Sequence, residues 1–217
     1  FNDGIINVTY LILNTTSTLD SNLTVEGNLK IDTDGDLTTN NQTINVTQDI
    51  SVYGIFNASD DTVDQWIGSF SVGSGAQYTS TTGTLHVYCT NGCTSGYFYG
   101  NFYHNNGTVI LETTCSASPW NWLFGLGDPH FYNLVLNYSC SEQINTKIGT
   151  VYVDNDFTVI DGDLRTYAGD INVKNAHIFD EVTLLAYDLI VNENLTVYSG
   201  GIIQRGSTDT RVGVLVN

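Results

Sequence analysis

Residues 23–59 read LTVEGNLKIDTDGDLTTNNQTINVTQDISVYGIFNAS. Apolar and polar residues alternate in short runs, such as Leu29-Lys30-Ile31 and Ile50-Ser51-Val52, and Gly, Asn and Asp separate these runs. A period of two predicts β-strands, because successive side chains of a strand point to opposite faces. Similar runs recur to the end of the chain, and helical periodicity is almost absent. The sequence therefore predicts an all-β fold.

An internal repeat narrows the fold class further. The pattern Asp-Gly-Asp-Leu-x-Thr, followed four residues later by Ile-Asn-Val, begins at Asp34 and returns at Asp161. The tetrapeptide Asn-Leu-Thr-Val occurs at residues 22–25 and again at 194–197. Recurring short strands with polar turns are typical of a β-solenoid, in which each turn buries its inward residues against its neighbours. A β-sandwich built by duplication is the alternative.

The repeat divides the chain into segments of different character. We predict one elongated β body over 1–217, with an N-terminal strand arm at 1–18 and a first repeat at 19–59. A disulfide- and aromatic-rich elaboration follows at 60–145, and a second repeat covers 146–217. Stretches of the elaboration such as GTLHVY and GNFYHNNGTV still alternate, with longer loops between them.

The charge balance excludes some classes of partner. The chain has 6 Lys and Arg residues against 23 Asp and Glu residues, for a formal net charge of −17. Nucleic acid is not an expected partner, because neutralising phosphates requires clustered basic residues. No apolar stretch is long enough to span a bilayer. The acidic residues are mostly Asp, which favours turns and bonds from side chain to backbone.

The commonest motif is the Asn-x-Ser/Thr acceptor of N-glycosylation, which occurs more often than composition alone predicts. This pattern, together with a start at Phe1 that resembles a processed terminus, predicts an extracellular, cell-surface glycoprotein. An Asn- and Thr-rich β protein that matches the motif by composition is the other interpretation. The nine acceptors are Asn7, Asn14, Asn22, Asn41, Asn45, Asn57, Asn106, Asn137 and Asn194.

Four cysteines fit an exported protein. Cys89, Cys93, Cys115 and Cys140 lie in the central part of the chain, and two disulfides are the expected use of an even number. Three pairings are open. We favour Cys89 with Cys93, across a turn, and Cys115 with Cys140. Zinc is the rival use, but the spacing lacks the close pairs that zinc ligands show.

The pattern of short apolar runs and polar turns in this chain resembles the repeats of large secreted β-solenoid proteins of archaea and bacteria. It is seen in residues 23–59, in GNFYHNNGTVIL at 100–111 and in FYNLVLN at 131–137. Such proteins occur in surface layers, sheaths, filaments and adhesins. With acceptor sites and cysteines on such a body, the chain resembles archaeal cell-envelope glycoproteins, including sheath and extracellular filament subunits. The resemblance implies fold and location, and it carries over no active-site residue.

Candidate sites for chemistry are few. Calcium is a possible ligand, because alternating carboxylates in a turn can converge on a hard cation; the candidates are Asp32, Asp34, Asp36, Asp161 and Asp163. A calcium loop also has a bidentate Glu at its end, and the sequence has no Glu at the expected number of residues after these carboxylates. The four histidines show no partner spacing, and Asp128-Pro129-His130 does not define a triad. We therefore expect no catalytic residue, no cofactor apart from possible calcium, and no enzyme activity.

Both terminal segments are β-prone and poor in charge. Residues 5–13 and 212–216 lack the Lys, Pro or bulges with which soluble monomers guard exposed strand edges. We expect these segments to pair with other copies of the chain, which predicts a homopolymeric sheath or filament with N-glycans on its sides. Pairing within the same subunit is the plainer alternative. The competing functions are a cell-surface adhesin or carbohydrate-binding module, and a polysaccharide-active β-helix enzyme.

Overall fold

The computed structural model describes residues 8–59, 61–89, 96–113, 128–138, 143–146, 149–166, 169–206 and 213–217. These residues form 23 β-strands and no helix. The strands are β1 (Tyr10–Leu13), β2 (Thr16–Thr18), β3 (Leu23–Val25), β4 (Asn28–Ile31), β5 (Asp36–Thr38), β6 (Ile44–Val52), β7 (Ile55–Asn57), β8 (Gln65–Val72), β9 (Gln77–Thr79), β10 (Thr84–Cys89), β11 (Gly96–Phe98), β12 (Asn101–Tyr103), β13 (Thr108–Thr113), β14 (His130–Phe131), β15 (Asn133–Tyr138), β16 (Gln143–Thr146), β17 (Val151–Asp161), β18 (Asp163–Thr166), β19 (Ile171–Ile178), β20 (Glu181–Leu184), β21 (Leu189–Val197), β22 (Ile202–Arg205) and β23 (Val214–Val216).

The strands stack as a β-solenoid of about eight turns, which confirms the predicted fold class. Every strand pair found in the described residues is parallel, whereas the sheets of a β-sandwich are antiparallel. The sandwich alternative is therefore wrong. Residues that pair in successive turns are 18 to 26 positions apart in the chain, as in Leu11 with Leu29 and Phe70 with Gly96.

Each turn has three sides. The 14-stranded sheet, which runs from β1 to β23, forms two of these sides. The third side is a five-stranded sheet in the first half of the stack, with β2, β5, β7, β9 and β12, and a four-stranded sheet in the second half, with β16, β18, β20 and β22. The long strands β6, β17 and β19 bend where their register shifts, and each contributes to two sides of a turn. The strands of residues 60–145 join the same sheets, so this part of the chain continues the stack.

The two copies of the sequence repeat occupy different sheets. Leu37 follows the first Asp-Gly-Asp and lies in β5 of the five-stranded sheet, whereas Leu164 lies in β18 of the four-stranded sheet. Both side chains are fully buried, and in both copies the following strand belongs to the 14-stranded sheet. The repeat therefore preserves the positions that are buried, although the two copies lie in different sheets.

Inward side chains form columns along the solenoid axis. In the five-stranded sheet Phe56 stacks on Tyr78 with ring centroids 4.3 Å apart, and Tyr78 stacks on Phe102 at 5.7 Å. Phe102 in turn contacts Phe131 of β14 at 5.3 Å, which carries this side of the core into the second half. Burial, and after it the charge of Asp61, raise the pKa of Tyr78 well above its ordinary value.

A buried carboxylate fixes the corner before β8. Asp61 is only 1% exposed, and it accepts hydrogen bonds from the Thr39 hydroxyl, the Asn41 backbone N–H and, at 3.1 Å, Gln65 Nε2. A buried charge is tolerated when its oxygens are satisfied in this way. Asp61 thus connects two successive turns inside the stack.

The cysteine predictions lie almost entirely outside the described residues. Cys93, Cys115 and Cys140 are not among them, and Cys89 is described only as the last backbone position of β10. Both the pairing and the presence of disulfides therefore stay predictions.

Candidate functional site: the ends and sides of the solenoid

The core is open at the C-terminal end of the stack. One inward column runs the whole length of the 14-stranded sheet and ends at Val197; its members are Val25, Val46, Ile67, Val87, Leu111, Leu136, Val159, Ile178 and Val197. The eight earlier members are at most 2% exposed, whereas Val197 is 46% exposed. Val197 has the inward register position of a core residue, and no further turn of the described chain covers it.

A second column of this sheet ends in the same way. Val153, Val173, Val191 and Val216 pair in consecutive turns. The first three are at most 2% exposed, and Val216 is 54% exposed. The last turn therefore presents apolar, inward-pointing side chains on two of its three sides.

The third side of this end carries a charge. In the four-stranded sheet Thr166 and Leu184 are buried, and the next position of the same column is the exposed Arg205. The neighbouring column, Leu164 and Val182, continues to the half-buried Ile203. A guanidinium at an inward position is compatible with this end because no further turn of the described chain encloses it.

The N-terminal end differs, because its core is covered. Leu13, Leu23 and Val25 in the first turn are at most 6% exposed, and Val8 packs against the core there. β1 and β2 are the terminal strands of their sheets, with one neighbour each among the described strands. The outward side chains Tyr10 and Ile12 of β1 are 51% and 49% exposed. The two ends thus offer different surfaces, an open core and a strand edge.

The predicted glycosylation acceptors lie on the sides of the stack. Six are exposed, namely Asn14, Asn22, Asn41, Asn45, Asn106 and Asn194, whereas Asn57 and Asn137 are half-buried. Asn7 lies outside the described residues. Asn41 and Asn106 each follow another Asn at positive φ and end the same kind of tight turn, and both are exposed there.

Hydrogen bonds at the corners orient some of these acceptors. Asn22 Oδ1 accepts the Thr43 N–H at 2.9 Å, and Asn41 Oδ1 accepts the Thr62 N–H at 3.0 Å, each from the next turn. Asp64 does the same for Thr84 at 2.8 Å. The amide nitrogen, which is the atom that carries an N-glycan, is then turned away from the bonded oxygen.

The histidines have acidic partners that the spacing in sequence did not reveal. His104 Nε2 lies 3.2 Å from Asp154 Oδ2, and His130 Nδ1 lies 3.7 Å from Asp154 Oδ1. His86 lies 3.3 Å from Glu112, and His177 lies 3.8 Å from Asp156. The partners are about one or two turns apart in sequence, so only stacking brings them together.

These contacts join side chains that are partly exposed on the outside of the stack. Asp128, which precedes His130 by two residues, instead accepts the Thr150 N–H at 3.0 Å and belongs to a corner. The expectation that the chain has no enzyme activity stays a prediction.

The calcium candidates are not assembled into a cage. No group of three or more His, Cys, Asp or Glu side chains in the described ranges is arranged to hold a metal ion. Hydrogen bonds from the Thr33 N–H at 2.9 Å and Lys30 Nζ at 3.3 Å lower the pKa of Asp32. Asp163 pairs with Arg165 at 2.6 Å. These contacts give both carboxylates partners within the chain.

Across the described residues, no helix is long and apolar enough to cross a membrane. Comparisons with protein-family models, with curated proteins and with solved structures gave no match to this chain.

Proposed function

We propose that this protein is a structural subunit that assembles end to end into an extracellular sheath or filament, with N-glycans along its sides. The observation that carries the proposal is the open core at the C-terminal end, where Val197 and Val216 are about half exposed at core positions. The resemblance to secreted β-solenoid proteins of prokaryotic cell surfaces agrees with this role.

Covering the open core favours association. Burying the exposed parts of Val197 and Val216 contributes about 1 kcal/mol each, before the cost of association. The backbone of the last turn adds directional hydrogen bonds, because an unpaired strand edge is a template for another strand. A second copy stacked on this end covers the apolar side chains and pairs with the strand edge at the same time.

The opposite end supplies the matching surface. β1 and β2 are edge strands, and in a head-to-tail joint they meet the last turn of the neighbouring copy with the same parallel direction as every turn of the stack. A head-to-tail contact whose rotation does not close produces a fibre or a tube. Asn106 lies in the middle turns, away from both ends, whereas Asn14 belongs to the first turn and Asn194 to the last, so glycans on these two must project sideways from the joint.

The assembly is tested by placing a charge in the joint. We expect Val197→Lys and Val216→Lys to abolish filaments, because a buried ammonium without a partner is strongly unfavourable. Both residues are exposed in the single subunit, so the fold should survive, with unchanged circular dichroism and melting temperature. Negative-stain electron microscopy and sedimentation of the purified 1–217 chain measure the polymer.

Ile160→Lys is the matched control, because Ile160 is an exposed side chain, at 46%, in the middle of the stack. This variant should form filaments like the unchanged chain. Filaments of normal length from Val197→Lys and Val216→Lys would refute the end-to-end joint. A protein that stays monomeric at high concentration while it binds or cleaves a glycan would favour the adhesin or the enzyme.

A further inference from the structure

A groove of about 530 Å³ lies on the outer side of the 14-stranded sheet, between β6, β8 and β10. The residues that shape it are Asn45, Thr47, Trp66, Gly68 and Tyr88. Trp66 and Tyr88 are 40% and 38% exposed. One of the wall residues, Asn45, is also an exposed glycosylation acceptor, so a sugar attached to this site starts inside the groove.

The indole of Trp66 has one covered and one open face. On one side its ring lies parallel to the imidazole of His86, with centroids 5.3 Å apart and planes 6° apart. On the other side Trp66 pairs in register with Asn45, one turn earlier. Adjacent parallel strands are about 4.8 Å apart. A short Asn side chain leaves most of this second ring face uncovered, and that face looks toward the Asn45 amide.

Gly68 lines the groove where two turns approach closely. A Cβ at this position would lie 2.1 Å from the Gln48 carbonyl oxygen, so the approach of the two backbones excludes any side chain. Tyr88 follows Val87, which pairs with Ile67, and therefore stands beside Gly68. Gly68 therefore contributes only backbone to the groove wall between the two aromatic residues.

We propose that the first sugar of an N-glycan on Asn45 packs against the open face of Trp66 in this groove. The C–H bonds on the flat side of a pyranose carry a small positive charge, which the negative face of an aromatic ring attracts. The covalent link to Asn45 holds the sugar at high effective concentration beside the ring. The inference depends on the glycosylation part of the proposed function.

The other in-strand acceptors lack such a partner. Asn194 pairs with Asn175 and donates to its Oδ1 at 2.9 Å. Asn57 pairs with Thr38 and Thr79, and Asn137 pairs with Glu112 and Asp161. Asn194 is therefore a suitable control acceptor, because it is exposed and lies in the same sheet, and its register partner is not aromatic.

The test is a double-mutant cycle on the full chain, produced in a host that adds N-acetylglucosamine-based glycans. Asn45→Gln and Asn194→Gln are each combined with Trp66→Leu, and peptide mass spectrometry confirms occupancy. We expect Asn45→Gln to lower the melting temperature by about 2–4 °C when Trp66 is present. The same substitution should have little effect in the Trp66→Leu background. Asn194→Gln should have the same effect in both backgrounds. Nuclear Overhauser contacts between indole and sugar protons should disappear with Asn45→Gln.

Three outcomes overturn the proposal. Equal effects of Asn45→Gln in both Trp66 backgrounds, with Asn45 occupied, refute the packing alone and leave the glycoprotein proposal intact. An unoccupied Asn45 refutes the packing and also counts against glycosylation of the sides. Trp66-dependent binding of chitotriose by non-glycosylated protein, without coupling to Asn45, would assign the groove to a foreign glycan.

Discussion

Asp161 and Asp180 bring two carboxyl groups together at the corner between β17 and β18. Partial burial, and after it the charge of Asp180 and a hydrogen bond shared with it, raise the pKa of Asp161 above its ordinary value. Asp180 Oδ2 also accepts the Gly162 N–H at 2.6 Å, which holds it in place. These surroundings disfavour the ionised form of Asp161 in the folded chain, so ionisation of Asp161 opposes folding.

We predict that Asp161→Asn stabilises the protein at neutral pH. A pKa that is higher in the folded chain means that the stabilisation from protonated Asp161 is complete below the unfolded pKa and is lost as the pH rises through the folded pKa. The substitution should therefore raise the melting temperature on the order of 1–2 °C at pH 7 and leave it unchanged near pH 3, since solvent screens a mostly exposed pair. Calorimetry at both pH values measures the effect.

Asp34→Asn is the control for this experiment, because Asp34 is the equivalent residue of the first repeat and is exposed. Its substitution should change the melting temperature little at either pH. A gain from Asp161→Asn that is as large at pH 3 as at pH 7 would contradict the carboxyl pair as its cause.

Among the elements, β23 is held by a corner bond as well as by its ladder. Asp188 Oδ1 accepts the Gly213 N–H at 2.6 Å, and Asp170 Oδ1 in the preceding turn accepts the Asp188 N–H at 2.9 Å. Asp64 and Asp128 accept corner N–H groups in the same way. Each carboxylate satisfies a corner N–H that the sheet ladders do not reach.

We predict that Asp188→Ala loosens β23 while the rest of the stack stays folded. Losing a hydrogen bond to a carboxylate costs about 1.5–3 kcal/mol, so amide hydrogens of residues 213–217 should exchange at least roughly tenfold faster. Hydrogen-exchange mass spectrometry measures this. Glu193→Ala, which removes a charge on β21 whose bridge partner at 3.6 Å is Lys174, should leave that exchange unchanged. Equal acceleration by both variants would rule out the corner bond.

The two Asn-Leu-Thr-Val segments show how much of the structure of β3 and β21 could be predicted from sequence alone. Alternation correctly predicted a strand at both places. Yet Val25 is fully buried and Val197 is 46% exposed, although their local sequences are identical. Burial here is decided by whether another turn lies above, and that depends on residues far away in the chain. The pairing of His104 with Asp154 escaped prediction for the same reason.

At the scale of the whole molecule, charge opposes assembly. The chain carries a formal net charge of −17, so copies brought end to end repel one another. Salt shortens the range of this repulsion, from about 30 Å at 0.01 M to about 10 Å at 0.1 M. The two apolar sides of the open core, which end in Val197 and Val216, are not weakened by the same change.

We therefore predict that filaments form at lower protein concentration as salt rises from 0.01 M to 0.3 M. Light scattering and sedimentation across a concentration series give the critical concentration at each salt level. The Val197→Lys variant should remain unassembled throughout, which separates the joint from non-specific salting out. A critical concentration that rises with salt would show that ion pairs, and not apolar contact, hold the subunits together.

The uniform direction of the strands has a consequence for any polymer that continues the stack. Because all described pairs are parallel and the two ends differ, such a fibre is polar, with a hydrophobic growing tip at one extremity and a sealed tip at the other. Subunits then add at unequal rates to the two tips, and a cell that anchors the sealed tip directs elongation outward.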